Sequence, residues 1–207
     1  MMLSDNQIYL ASRSPRRREL LRQIGVKFNL LLMRETLGRP IDIDEQPLVD
    51  ETPTDYIYRI VQFKANAGWK RILQRRFQPM PVLVADTIVT LDGCILGKPK
   101  DIVQAETMLK ILSGRSHQVL TAIGVGIRDQ TQIRLSTSTV QFRDISEREI
   151  RKYLTQNNCL DKAGAYAIQG MAAAFIVKIS GSYSGVMGLP LYETAQLLEE
   201  VGIALFP

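Results

Sequence analysis

The sequence predicts an α/β fold in which strands and helices alternate from end to end. Three observations carry that class. Short apolar, β-branched runs are separated by stretches whose apolar residues recur at helical spacing. Helix-start signals stand before those stretches: Ser14-Pro15, Thr52-Pro53, Asp101 and Ser146 with Glu149. No internal repeat, low-complexity tract or linker interrupts the 207 residues, a length that suits one large domain or two lobes sharing a core.

The totals exclude several classes of protein. Apolar content of 45% and charged content of 23% are ordinary for a soluble globular chain. No apolar run approaches the roughly 20 residues that span a bilayer. The start, Met1 to Asn6, lacks the basic and apolar regions of a secretory signal. Cys94 and Cys159 have no motif spacing, and His117 is the one histidine, which argues against a structural zinc site and fits a reducing cytoplasm. The net charge of +5 favours anionic partners, either nucleic acid or a small polyphosphate.

Ile8 to Ala11 reads as a short strand. It runs through Ser12-Arg13-Ser14 into a helix from Pro15 to about Ile24, stopped by Gly25, with Leu20, Leu21 and Ile24 as its stripe. Arg16, Arg17 and Arg18 crowd the first turn, where the helix dipole disfavours cations. An anion bound there would justify them, most directly for Arg16, next to the loop. Arg17 and Arg18 read as a solvated basic face. Val26 to Met33 is a second strand. An irregular segment follows, ending in Asp42, Asp44, Glu45, Asp50 and Glu51, of which one or two could ligate a divalent cation.

A long helix starts at Thr52, with Ile57, Ile60, Val61, Ala65, Gly68 and Ile72 as its stripe. Lys64 falls inside that stripe. Either it snorkels or it points into a cleft at an anion. Next comes Val82 to Pro99, two apolar runs joined by Asp92-Gly93, the signal of a type I′ hairpin. Asp86 sits among apolar and β-branched neighbours, where a carboxylate costs several kcal/mol unless paired. A cation, a metal or a substrate group waits there, or Asp86 lies at a strand end facing water. The turn brings Lys98 beside Thr87, on the opposite strand face from Asp86, so a shared site needs a bulge, a strand end or a metal.

Asp101 caps a helix to Leu112. His117 to Ile127 and Gln132 to Phe142 read as strands, and Ser146 to Glu149 as a capping box. His117 opens its strand as a surface or hydrogen-bonded residue rather than a catalyst. Small residues dominate Asp161 to Gly170, letting backbone approach a ligand, and the Gln169 amide can read a base edge by donating and accepting. Ala172 to Ile179 is a strand. A glycine-rich loop lies between Gly181 and Pro190, and a final helix ends at Gly202.

Several of these stretches together resemble the Maf family of nucleoside triphosphate pyrophosphatases. They are Leu10 to Leu21, Ala85 to Val89, Gly97-Lys98-Pro99, Leu112 to His117, Lys162 to Tyr166 and Gly188-Leu189-Pro190. The resemblance runs from about Ile8 to the last helix. It implies a single domain over 1–207, a long, mixed, curved sheet flanked by helices, and two lobes around a central cleft, as in inosine triphosphate pyrophosphatases. It implies cleavage between the α and β phosphates, a divalent cation (usually magnesium or manganese), a cytoplasmic location and commonly a homodimer. Asp86 matches the family's proposed proton acceptor. Arg16, Thr87 and Gln169 match positions tied to substrate choice, and Ala167 to Gly170 looks like the branch acting on dTTP and UTP. Glu45, Lys64 and Lys98 match polar positions of the cleft. The stretch from Met33 to Ile43 is longer than the family's usual connection, so Asp44-Glu45 is matched across an insertion.

On this reading Ser12, Arg16, Lys64 and Lys98 hold phosphate, and Asp86 with Glu45 holds the metal. The competing readings are a basic module binding nucleic acid, and a division regulator that keeps the fold without turnover. The first is disfavoured because no aromatics interleave with the arginines.

Overall fold

A computed structural model describes residues 7–32, 45–128 and 130–205. Asp42, Asp44 and the long stretch before them lie outside the described residues. In chain order the elements are β1 (Gln7–Leu10), α1 (Pro15–Gln23), β2 (Lys27–Leu30), α2 (Pro53–Arg75), β3 (Val82–Leu91), β4 (Cys94–Leu96) and α3 (Ile102–Leu112). There follow β5 (Ser116–Ile127), β6 (Gln130–Phe142), α4 (Glu147–Gln156), β7 (Ile176–Ser180), α5 (Tyr183–Val186) and α6 (Leu191–Glu200). Among the described residues, seven strands form one mixed sheet ordered β2-β1-β3-β5-β6-β7, with β4 hairpinned onto β3. β1 pairs parallel with β2 and β3, and every other pair is antiparallel.

The helix signals operate as their chemistry dictates. Thr52 Oγ1 accepts from the Asp55 amide at 3.1 Å, and Pro53 occupies the first position of α2. The α2 stripe is buried against β3 and β5. Gly124 permits this approach: a Cβ there would stand 2.8 Å from a Val61 methyl. On the other face, α1 and α6 cover one end of the sheet and α3 and α4 the other.

The hairpin turns at Asp92-Gly93 as expected, pairing Leu91 with Cys94 and placing both turn residues at positive φ, 51° and 79°. Three expectations need correction. β2 covers residues 27–30, shorter than the apolar pattern suggested. The stretch from Met171 to Phe175 is 3-10 helix, its turns closed by Ala173 N to Gly170 O and Ile176 N to Ala173 O, and only Ile176–Ser180 is strand. Within the glycine-rich loop, Ser182 caps the short α5 by accepting from Gly185 N at 3.0 Å.

What positions the site is a gap in the sheet. On one edge β3 pairs with β5 from Val82 to Thr90. On its other edge, β1 pairs only with Val82 and Leu83, and pairing with β4 starts only at Val89. Among the described residues, no strand covers residues 85–88 on that edge. A cleft enters there and reaches both faces of β3 at once.

Candidate active site

The cleft has a volume of about 540 Å³ and is lined by the loop into α1, by Lys64 of α2, by β3, by the stretch after β4, by residues 161–169 and by the turn at Gly188. That volume lies in the range of roughly 300–1,000 Å³ usual for small-molecule sites. Ser12, Arg16, Glu45, Lys64, Asp86, Thr87, Lys98 and Gln169 all line it, although they span most of the chain. The strand alternation that separated Asp86 from Thr87 and Lys98 is no obstacle, because the uncovered edge exposes both faces of β3 to one space.

Lys64 takes the cleft-facing alternative. Its Nζ stands 2.8 Å from Asp86 Oδ1 and 2.8 Å from Glu45 Oε1. Its side chain is 15% exposed and that of Asp86 17%. Burial works against the Lys64 charge, but Asp86 and then Glu45 outweigh it and hold the ammonium above the ordinary lysine range. Glu45 is itself held by Tyr56, whose hydroxyl donates to its carbonyl at 2.9 Å.

Arg17 overturns its reading as a solvated residue. Its Nε donates to Gly188 O at 2.7 Å, Nη1 to Ala85 O at 2.8 Å and to Ser12 Oγ at 3.4 Å, and Nη2 to Thr87 Oγ1 at 3.2 Å. The guanidinium thus satisfies the uncovered β3 edge at Ala85 and ties it to the α1 loop and the Gly188 turn. Burial lowers its pKa, while Asp86 pulls it back up. The sequence held the signal. Arg17 lies three, four and seven residues before Leu20, Leu21 and Ile24, so it shares their inward stripe. Arg16 lines the cleft without such ties.

Two other groups carry weight that sequence reasoning did not assign them. Lys162 lines the cleft and donates to Asn158 O at 2.6 Å and to Asp161. Burial opposes charge on Asp161, but Lys162 and then Arg16 outweigh it and lower its pKa. Tyr166 forms part of the wall, its hydroxyl 2.7 Å from His117 Nε2. His117 is only 2% exposed and packs edge-on to Phe142, and burial pushes its pKa down to about 4. It is therefore a neutral, buried residue hydrogen-bonded behind the Tyr166 wall and not a surface one.

A divalent cation fits the donors present. Asp86 and Glu45 converge on one small cation, the Lys64 ammonium, each through one oxygen. Among the described residues no cluster of three histidine, cysteine or acidic side chains could hold a metal by itself. Two carboxylates supply hard oxygens of the kind that magnesium accepts. Glu51 is not available for that work: Arg59 binds its carboxylate and pulls its pKa down to about 2. Asp50 is exposed in a turn and does not line the cleft.

Comparison with known proteins gives a consistent set of relatives. The profile of the family described as Maf, Maf-like protein, matches residues 7–201. A protein named dTTP/UTP pyrophosphatase from Nitrosomonas europaea is 63% identical over 201 residues, covering 97% of each chain. One of the same name from Nitrosospira multiformis is 55% identical over 206 residues, covering 100% of each. Among solved structures, the Ham1 protein of Staphylococcus aureus aligns over 67% of this chain and 72% of its own, at 17% identity and a TM-score of 0.45.

Proposed function

This chain belongs to the Maf family, and from that premise we propose that it hydrolyses dTTP and UTP between the α and β phosphates, releasing the monophosphate and pyrophosphate. The observation that carries the reading is the juxtaposition in one cleft of a carboxylate, Asp86, with cations arriving from separate elements: Arg16 from α1, Lys64 from α2, Lys98 after β4 and Lys162 from the 161–169 loop. Such a convergence suits a compact polyanion. A nucleic-acid module would spread its cations along an open face.

Each residue has a task in this proposal. Arg16, Lys64, Lys98 and Ser12 hold phosphate oxygens, helped by the N-terminus of α1. Asp86 accepts the proton of the attacking water as its oxygen bonds to the α phosphorus and the bond to the bridging oxygen breaks. The Lys64 ammonium keeps that carboxylate oriented through Oδ1. Pyrophosphate leaves with its charge met by the lysines. Positioning and charge neutralisation supply most of the rate. Gln169, exposed in a turn at the cleft, reads the base edge. Asp86 and Glu45 would hold magnesium or manganese, which when bound neutralises charge on the triphosphate.

We propose also that the protein works as a homodimer in the cytoplasm. Among the described residues, no helix is long and apolar enough to cross a membrane.

The test is a panel of nucleoside triphosphates at neutral pH with magnesium or manganese, scoring pyrophosphate and monophosphate. Release from dTTP and UTP, lost in Asp86→Asn, supports the reading. No turnover of any nucleotide with either metal refutes it in favour of a binding protein, whose nucleic-acid affinity would fall steeply with salt.

A further inference from the structure

Arg59 of α2 stands outside the cleft lining, yet it holds the segment that delivers Glu45. Its guanidinium lies over two rings of its own helix, 5.5 Å from the Tyr56 centroid and 5.8 Å from that of Phe63. Those residues are three before and four after it, so all three share one helix face. The fork grips the 45–51 segment. Nη2 donates to Glu51 Oε2 at 2.6 Å and to Gln46 O at 2.9 Å, and Nε donates to Glu51 Oε1. Glu51 Oε2 also accepts from Leu48 N at 3.0 Å, and the Tyr56 hydroxyl donates to Glu45 O. The Glu51 side chain is 7% exposed, whereas that of Glu45 is 46% exposed. Packing therefore does not fix the Glu45 carboxylate against Lys64. Its place follows from its backbone, and α2 ties that backbone at Glu45 O and Gln46 O.

We propose that Arg59 is a positioning residue for the divalent ion: by clamping residues 45–51 onto α2 it holds the Glu45 carboxylate where it converges with that of Asp86. This rests on the reading of Glu45 as a ligand, given above. Lys64, five residues further along α2, meets the Glu45 carboxylate at 2.8 Å, so one helix fixes both the ligand and its counter-ion. A long, exposed glutamate loses backbone and rotamer freedom when it takes up an ion. A clamped backbone has already lost its share, so the ion binds more tightly. Groups that orient a ligand in this way change metal affinity or activity about 10–100-fold when they are removed.

The test measures turnover of UTP against magnesium concentration in the wild type, Arg59→Gln, Tyr56→Phe, Glu45→Gln and the double variant Arg59→Gln/Glu45→Gln. The affinity of α,β-imido-UTP, which resists cleavage, is measured by calorimetry in the same proteins, in magnesium and in chelator. Arg59→Gln should raise the magnesium concentration for half-maximal rate about tenfold or more, and Tyr56→Phe should raise it by less. The gain in analogue affinity on adding magnesium should shrink to match, with the affinity in chelator unchanged. In the double variant, Arg59→Gln should add nothing to Glu45→Gln, because it acts through that carboxylate. Mere loss of folded protein would lower the rate by one factor at every magnesium concentration and leave the midpoint in place. Where Arg59→Gln does not fold, Arg59→Gln/Glu51→Gln removes both charges together and takes its place. A magnesium midpoint unchanged in the Arg59 variant, or losses that add in the double variant, would overturn the proposal. A magnesium response unchanged in Glu45→Gln would instead remove Glu45 as a ligand, and no turnover of UTP or dTTP by the wild type would refute the pyrophosphatase reading. This inference falls with either.

Discussion

Lys64 Nζ stands 2.8 Å from Asp86 Oδ1, so the charge that interrupts the α2 stripe answers the charge that interrupts the β3 strand. Each looks misplaced on its own element, and each accounts for the other. The pair sits where β3 lacks a neighbour, which makes it a site as well as a salt bridge. Replacing Asp86 with Asn should therefore divide catalysis from folding. The amide still accepts from Lys64 but cannot take a proton from water. We expect kcat to fall about 10²–10⁴-fold, the usual worth of a positioned base. The melting temperature should stay within a few degrees. A near-wild-type kcat in Asp86→Asn would remove Asp86 from the mechanism.

Arg16 and Arg17 are neighbours in sequence with different work. Arg17 makes four hydrogen bonds that close the wall of the cleft, three of them on groups from other elements. Arg17→Gln should cost about 2–4 kcal/mol in urea unfolding, because buried carbonyls lose their donors. Arg17→Lys should recover little, since an ammonium cannot copy a planar fork. Arg16→Gln should leave stability within about 0.5 kcal/mol and raise KM instead. Equal stability losses in Arg16→Gln and Arg17→Gln would contradict this division.

Much of the fold was legible because each signal is local. Caps, the hairpin turn and helical stripes act over a few residues, and they placed α1, α2, α3, α4 and the β3–β4 hairpin. Met171 to Phe175 escaped because small, apolar residues fit a 3-10 turn as well as a strand. The cleft side chains were legible as residue types out of place. The gap that unites them was not, because it is decided by where two other strands stop.

Gln169 gives a prediction about selectivity free of stability. It is exposed in a turn and its side chain carries no core packing. Gln169→Ala should leave the unfolding curve in place, with changes within about 0.5 kcal/mol. It should raise KM for dTTP and UTP and narrow their lead over purine nucleotides. Selectivity unchanged across the nucleotide panel would show that the base is read elsewhere.

Removal of divalent ions should stop turnover without loosening the fold. The proposed ligands, Asp86 and Glu45, already share the Lys64 ammonium, so the described core does not depend on a metal for charge balance. A chelator should abolish pyrophosphate release, and added magnesium or manganese should restore it. The melting temperature without nucleotide should hardly change. Full activity in excess chelator would exclude the metal from the mechanism.

His117 predicts an acid limit that begins before the carboxylates titrate. Burial depresses its folded pKa to about 4, against an unfolded value of 6.5. Between those values the unfolded chain binds the proton and the folded chain does not, so stability falls as the pH drops from about 6.5 to about 4. The full shift corresponds to about 3 kcal/mol, an upper bound for this one group. Below that window the ion-paired Glu51 and Glu149, both held down at about 2 by their arginines, continue the loss. Unfolding measured between about pH 7 and about pH 4.5 should show the decline in the wild type and a flatter profile in His117→Gln, which has nothing to titrate there. In the folded protein the ring that bonds the Tyr166 hydroxyl stays neutral through that window, so the wall of the cleft, and KM with it, should hold until about pH 4 in both proteins. Identical pH profiles of stability in the two proteins would show that His117 is not the titrating group.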